Sequence, residues 1–295
     1  MRYLTVGAMF KDEAPYLAEW VSHHLAQGVD HIFLYNNGST DDPERVLQPF
    51  LDQGSVSLIT WPAPKELGSQ IGAAHDLRDR TRGSSRWAAF IDVDEFLFSP
   101  AGSLPSVLRV FEDEVGIEVN WVNYGSSKLE VAGHGEVRDR FLYRAPLQWK
   151  RNRQFKSIFN PLEAESRVPQ SHAWKYRNGR LAVNEVRRPL NADVSILDLA
   201  EWWLRTLAPS IHRTLAHRFP LHFNLYGPRI MRRVSVDLLR INHYPLKSRQ
   251  EYSAKQVRHG GKAKYSKEFF AYHDRNEVFD PILSARDVKI SPEAS

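Results

Sequence analysis

Three carboxylates, Asp92, Asp94 and Glu95, follow directly on the apolar run Trp87-Ala88-Ala89-Phe90-Ile91, with Val93 between the first two. Hard oxygen ligands of this kind suit magnesium or manganese, ions that keep open positions for phosphate oxygens. The apolar run reads as a buried strand, and a parallel α/β sheet keeps its chemistry just past the carboxyl ends of such strands. In extended backbone, residues i and i+2 share a face, so Asp92 and Asp94 are expected to converge on one cation while Val93 points into the packing. The residues therefore predict a joint site for a divalent metal and a diphosphate.

Three more polar groups fall where the loops after other strands should lie: Lys11-Asp12-Glu13, the run Asn36-Asn37-Gly38-Ser39-Thr40-Asp41, and Gln70. Loops at one sheet edge line one crevice. The Asn-Gly-Ser-Thr-Asp turn offers amide and hydroxyl donors suited to a base or ribose edge, and it reads equally as a helix N-cap turn. Lys11-Asp12-Glu13 alone reads equally as a capping cluster. Their repetition along one edge favours the functional reading.

The elements that must position these loops alternate. Strand-like segments at residues 4–10, 31–35, 56–60 and 87–91 are separated by helical patterns at 15–27, 43–51 and 69–80. The first helix carries Leu17, Trp20, Val21 and Leu25 at helical spacing, with Pro15 in its first turn and Gly28 past its end. Asp41-Asp42 is expected to cap the second. The fold class is thus α/β, a β-α-β-α-β-α-β nucleotide-binding half. After Pro100 the pattern loosens, with strands expected at 116–124, 141–142, 155–159 and 234–242, the last leading to His243. The apolar residues Ile196, Leu199, Trp203, Leu207, Ile211, Leu215 and Phe219 predict two helices, or one kinked at Pro209, and 248–257 reads as another helix.

At 295 residues the chain has room for one large domain, or one domain and an appendage. The absence of cysteine excludes disulfides, thiolate metal sites and cysteine nucleophiles. Residues 1–150 carry 14 Lys+Arg against 21 Asp+Glu, and residues 151–295 carry 26 against 14. A basic second half beside an acidic metal site fits an anionic ligand held between them, or a surface facing acidic lipid or polysaccharide. A plainly solvated basic surface is the alternative. No apolar run reaches about 18 residues and no leader pattern is visible, which leads to an expectation of cytoplasmic location.

Five motifs together resemble a known family: Lys-Asp-Glu-x-x-Tyr-Leu-x-Glu-Trp from Lys11, His-x-x-x-Gly-Val-Asp-His from His24, Tyr-Asn-Asn-Gly-Ser-Thr-Asp from Tyr35, Ile-Asp-Val-Asp-Glu-Phe from Ile91, and Ile-Asn-His-Tyr-x-x-Lys-Ser from Ile241. In this order they look like glycosyltransferase family 92 and its bacterial relatives in the family 2 group. The likeness spans 1–100 and 240–261 well and the middle weakly.

The resemblance implies a GT-A fold with a mostly parallel central sheet. It also implies a nucleotide-sugar donor, usually a UDP-sugar, and Mn²⁺- or Mg²⁺-dependent transfer with inversion to a glycan or lipid-linked acceptor, as in polysaccharide biosynthesis. Residues 1–125 would form the nucleotide-sugar and metal half, 126–261 the acceptor half of the same domain with a helical insertion, and 262–295 a C-terminal extension. Lys11, Asp12, Glu13 and Asn37 would line the nucleoside pocket, with Asn37 where many family 2 members carry an aspartate that reads uracil. Asp92 would face ribose or metal, and Asp94 would ligate the metal. Glu95 would orient donor or acceptor, and His243 would complete the metal shell. Lys247 would neutralise the diphosphate, and Lys255, Arg258 and Gly260-Gly261 would close over it.

On the acceptor side, Trp121, Trp149 and Trp174 are candidates for stacking on a sugar, and His172 for lining the same region. Glu130, Asp139 and Glu185 lie where the base that deprotonates the acceptor should be. Of these Asp139 is the candidate, although the flanking Arg138 and Arg140 also explain it as an ion-pair residue. The Trp202-Trp203 segment with Arg205, Arg213 and Arg218 fits a peripheral membrane contact at the inner face, a dimer contact or core packing. Two other classes share some features. A sugar-nucleotide nucleotidyltransferase should carry a Gly-rich basic loop after its first strand, and residues 7–15 have none. A basic nucleic-acid-binding protein would place Asp92, Asp94 and Glu95 against phosphate, so no nucleic acid is expected as a partner.

Overall fold

The structure, a computed structural model, describes residues 1–61, 69–167, 172–189, 233–258 and 266–284. The expected helices across 193–219, with Trp202 and Trp203, and the Gly260-Gly261 pair lie outside the described residues. Strands β1 (Arg2–Phe10), β2 (His31–Asn36), β3 (Val56–Thr60) and β4 (Ser85–Phe90) alternate with helices α1 (Ala14–Ala26), α2 (Pro43–Asp52) and α3 (Ser69–Thr81). The four strands pair in parallel in the order β3-β2-β1-β4. Helices cover their faces, which is why β1 and β4 read as nearly unbroken apolar runs rather than alternating ones. Trp20 of α1 is fully buried and its Nε1 donates to the Glu95 carbonyl at 2.8 Å, pinning the helix to the carboxylate turn. Truncating such a side chain to alanine costs about 3–5 kcal/mol.

The rest of the chain extends this sheet. It contributes β5 (Glu95–Phe98), α4 (Leu104–Leu108), β6 (Gly116–Asn123), α5 (Val137–Arg140), β7 (Tyr143–Arg144), β8 (Phe155–Phe159), β9 (Ala164–Arg167), β10 (Trp174–Tyr176), β11 (Val183–Asn184) and β12 (Arg240–His243). Helices α6 (Arg249–Arg258) and α7 (Lys267–His273) and strand β13 (Val278–Phe279) follow. The sheet continues from β4 through β8, β6 and β12 to β5. Strand β8 runs antiparallel to both β4 and β6, and β12 runs parallel to β6 and antiparallel to β5. The carboxyl ends of β1, β2, β4, β6 and β12 therefore meet the amino ends of β8 and β5 at one edge. The loops that carry Lys11, Glu13, Asn37, Asp92, Asp94 and His243 open there.

Three local expectations differ from the structure. Residues 141–142 are not a strand but the exit from the short α5 into β7. Only Arg240–His243 of the expected 234–242 strand pairs, because the buried Glu185 carboxylate accepts the backbone N–H groups of Asp237, Leu238 and Leu239 at 2.8–2.9 Å. Those donors are thereby withdrawn from any ladder. Asp42 caps α2 with no side-chain bond, and Asp41 instead accepts the Ala14 N–H at 2.8 Å, closing the first turn of α1.

Candidate active site

A cavity of about 940 Å³ opens at the shared strand edge. Lys11, Glu13, Asn37, Gln70, Asp92 and Asp94 border it from the β1, β2 and β4 side. Trp121, Asn123, Arg151, His172, His243 and Phe269 are among the residues of the opposite side, and Lys255 and Arg258 reach it from α6.

The carboxylate run is a turn rather than extended backbone. The Glu95 N–H donates to the Asp92 carbonyl at 3.0 Å, so the shared-face geometry expected for Asp92 and Asp94 does not form. Asp92 Oδ2 accepts from Lys156 Nζ at 3.0 Å, and its Oδ1 accepts from Gln70 Nε2 at 2.6 Å. Asp94 Oδ2 accepts from Lys255 Nζ at 2.7 Å, while Oδ1 lies 3.7 Å from His243 Nε2. Among the described residues no three His, Asp or Glu side chains gather around one point, so the expected three-ligand set Asp92, Asp94 and His243 does not form, and only Asp94 and His243 face each other. Asp92 is drawn away by Lys156. Burial alone would raise the Asp94 carboxyl, but Lys255 first, with Lys247 beyond it, holds it well below the usual range.

Glu95 is wholly buried behind the turn and does not border the cavity. Its Oε2 accepts the Asp92 N–H at 2.9 Å and lies 3.5 Å from Lys156 Nζ. Burial pushes its carboxyl well above the ordinary range, with Lys156 opposing. Glu95 thus shapes the turn and touches nothing in the cavity, which corrects the expectation that it orients donor or acceptor.

The tautomer of His243 follows from a chain of amides. Asn152, fully buried, donates through Nδ2 to the carbonyls of Pro146 and Leu147, each at 3.1 Å, so its Oδ1 is the acceptor. That oxygen takes the Asn123 side-chain Nδ2 and backbone N–H, each at 2.9 Å. Asn123 must then present Oδ1 to His243 Nδ1, 2.8 Å away, which makes Nδ1 the protonated nitrogen. His243 Nε2 is left as a bare lone pair facing the Asp94 carboxylate. Burial lowers the imidazole pKa to about 4, with Asp94 opposing, so the ring is neutral near pH 7. Two acceptors facing each other with no proton between them form a place for a cation.

Asp12 does not border the cavity. Its backbone has φ +54°, and its Oδ1 accepts from Thr40 N at 2.7 Å and Thr40 Oγ1 at 3.1 Å, tying the β1 loop to the β2 loop. Glu13 borders the cavity and faces Arg258 at 3.6 Å and Lys247 at 3.7 Å. Lys247 is buried with Nζ 3.6 Å from the centre of the Tyr16 ring, and desolvation lowers its pKa against the pull of Glu13. It buttresses Glu13 from behind, which corrects its expected place at the diphosphate; Lys255 and Arg258 reach the cavity instead.

Of the residues expected on the acceptor side, Trp121 and His172 border the cavity, their rings 5.1 Å apart, and Trp121 lies 4.4 Å from the His243 ring. Trp174 is buried against Phe159 at 4.4 Å in a separate core cluster and is not part of the site. Asp139 is exposed on α5, away from the cavity. Its flanking arginines pair elsewhere, Arg138 with Glu19 and Arg140 with Glu251. Glu130 is exposed against Arg249, and Glu185 is spent on backbone N–H groups. The expected carboxylate base is therefore absent from this wall among the described residues. Sequence reasoning missed Lys156, Asn123, Arg151, Phe269 and His273. A lysine inside the apolar run Phe155-Lys156-Ser157-Ile158-Phe159 was the signal for the first, since a buried ammonium must be paired.

The sheet and its strand-end cavity define an α/β protein whose site combines a carboxylate–imidazole pair with loop amides and lysine and arginine side chains. The chain belongs to glycosyltransferase family 92, whose family model matches residues 4–186. A family 92 protein of Ricinus communis is 36% identical over 100 residues, covering 34% of this chain and 18% of that protein. One of Oryza sativa subsp. japonica is 37% identical over 108 residues, covering 36% and 18%. A galactan β-1,4-galactosyltransferase of Arabidopsis thaliana is 27% identical over 130 residues, covering 41% and 25%. The matches to this chain thus span a quarter or less of those relatives. Among solved structures, S. aureus TarS 1–349 aligns with TM-score 0.35 and 11% identity over 54% of this chain and 47% of that one.

Proposed function

We propose that the chain transfers a sugar, a hexose, from a nucleotide sugar to a glycan or lipid-linked acceptor, with a UDP-sugar as donor and inversion at the anomeric carbon. The observation that carries this reading is the Asp94–His243 pair at 3.7 Å, set among Lys11, Asn37, Lys255 and Arg258 at one strand-end cavity. Family membership supports the transferase class. Similarity to a galactan galactosyltransferase supports a hexosyl donor and a glycan acceptor.

Mn²⁺ or Mg²⁺ fits the pair, because one carboxylate oxygen and one imidazole nitrogen leave the remaining positions to diphosphate oxygens. Asp94 and His243 would hold it, and when bound it supplies positive charge to the leaving diphosphate. Lys255 and Arg258 add their own charge at the same place. Losing one such stabilising group costs on the order of 3 kcal/mol, about a hundredfold in rate. Lys11 and Asn37 bind the nucleoside, and Gln70 and Lys156 hold Asp92 toward the ribose.

Inversion requires a proton acceptor across the sugar from the diphosphate. His273 borders the cavity from α7, and its Nδ1 donates to the Phe269 carbonyl at 2.9 Å, leaving Nε2 as an acceptor. Burial lowers its pKa to about 4, so near pH 7 the ring is neutral and Nε2 is open to a proton, though as a weaker base than free imidazole. The reading is tested by incubating the protein with a panel of UDP-, GDP- and TDP-sugars, Mn²⁺ and neutral or acidic glycan acceptors, and following nucleotide release and product mass. Glycan-dependent release of UDP supports it, and an absence of release from every donor contradicts it.

A further inference from the structure

The short turn Lys150–Arg153 carries three cations in four residues beside the cavity, and Arg151 borders it. Among the described residues no carboxylate pairs with Lys150, Arg151 or Arg153. The Arg153 Nε is buried without a hydrogen-bond partner. This turn is held in place by Asn152, whose side chain bonds Asn123 on one side and the Pro146 and Leu147 carbonyls on the other. Its cations are thus fixed beside one another, against their mutual repulsion, by the same amide chain that orients His243.

Aromatic rings stand among them. Trp149 and Tyr272 lie 5.5 Å apart, with Lys150 Nζ 5.4 Å and Arg151 Cζ 5.5 Å from the centre of the Tyr272 ring. Arg275 lies 5.6 Å from the Trp149 ring and is balanced by Glu277. Asp274, the other carboxylate of this segment, is committed to the Ser126 N–H at 2.7 Å. Flat rings beside fixed, unbalanced guanidinium groups suit a sugar that carries a negative charge.

We infer that this turn, with Trp149 and Tyr272, is a subsite for an anionic acceptor, binding a carboxylate or phosphate attached to the saccharide at Arg151 and Arg153. The inference rests on the transferase reading and adds the charge class of the acceptor to it. The anion comes either from an acidic sugar or from the phosphate of a lipid-linked saccharide.

Binding is measured by calorimetry and co-sedimentation with oligogalacturonate, neutral β-1,4-galactan of the same length, vesicles of phosphatidylglycerol or phosphatidylcholine, and single-stranded RNA. Oligogalacturonate is expected to bind about tenfold more tightly than galactan, and the double substitution Arg151→Gln with Arg153→Gln to remove that preference. Selective binding to phosphatidylglycerol vesicles that the same substitutions abolish, without uronate binding, supports the lipid-phosphate source. Equal binding of galacturonate and galactan, binding unaffected by the substitutions, or RNA bound as tightly as galacturonate overturns the inference. UDP-sugar binding by the unsubstituted protein is measured in parallel. Its loss contradicts the transferase reading, whereas its presence without an anion preference overturns the subsite alone.

Discussion

Asn152 Oδ1 accepts both the backbone N–H and the side-chain amide of Asn123 at 2.9 Å, and this one contact fixes which nitrogen of His243 faces Asp94. Replacing Asn123 by Leu keeps the volume but frees the ring to turn or to change tautomer. Outer-shell partners of this kind are worth about 10–100-fold in metal affinity. Mn²⁺ binding, followed by calorimetry in the presence of UDP, is expected to weaken by that factor in Asn123→Leu; unchanged affinity would remove His243 from the cation pair.

Lys156 lies 3.0 Å from Asp92 and 3.5 Å from Glu95, almost wholly out of water. Removing it leaves two carboxylates facing each other at the floor of the site. Breaking a buried pair from one side costs about 3–5 kcal/mol. Urea unfolding of Lys156→Met is expected to show a loss of that order, partly recovered by Glu95→Gln in the same chain. A loss that the second substitution does not relieve would contradict the charge account.

Glu118 gives the stability a pH dependence remote from the cavity. Burial raises its pKa from 4.5 to about 8, with the Ser157 hydroxyl opposing. The folded state therefore holds a proton that the unfolded chain releases above pH 4.5, so this contribution is full below pH 4.5 and is lost as pH rises to about 8. Glu118→Gln is expected to be close to neutral at pH 4.5 and to stabilise at pH 8.5, read from melting temperatures across that range. An equal effect at both ends would show that Glu118 is not protonated in the fold.

His273→Gln keeps a polar side chain at α7 but lacks the imidazole proton acceptor. General-base catalysis contributes about 10²–10⁴-fold. A fall in kcat of that order with donor KM little changed is the expected result. A KM effect alone would assign His273 to binding.

The parallel half of the fold was legible because buried parallel strands are continuous apolar runs, and residues 4–10, 31–35 and 87–91 are such runs. Asn37, Asp94 and His243 were legible as polar residues placed beside strand ends. The shared face of Asp92 and Asp94 was misread because the chain turns at 92–95, and nothing in the spacing of two carboxylates distinguishes a turn from a strand. Asp139 and Trp174 were chosen by residue type in a region of weak pattern, where exposure and core packing depend on contacts far along the chain. The roles of Lys156 and Asn123 arise from cross-strand neighbours, and pairing across β8, β6 and β12 is set by topology rather than by local spacing.

The central claim is that Asp94 and His243 hold a divalent ion against the donor diphosphate. Titration calorimetry of a UDP-sugar, with and without Mn²⁺, on the unsubstituted chain and on Asp94→Asn tests it most directly. Binding that Mn²⁺ strengthens at least about tenfold in the unsubstituted chain, and not in Asp94→Asn, is the predicted result. UDP-sugar binding indifferent to Mn²⁺ and preserved in Asp94→Asn would contradict it.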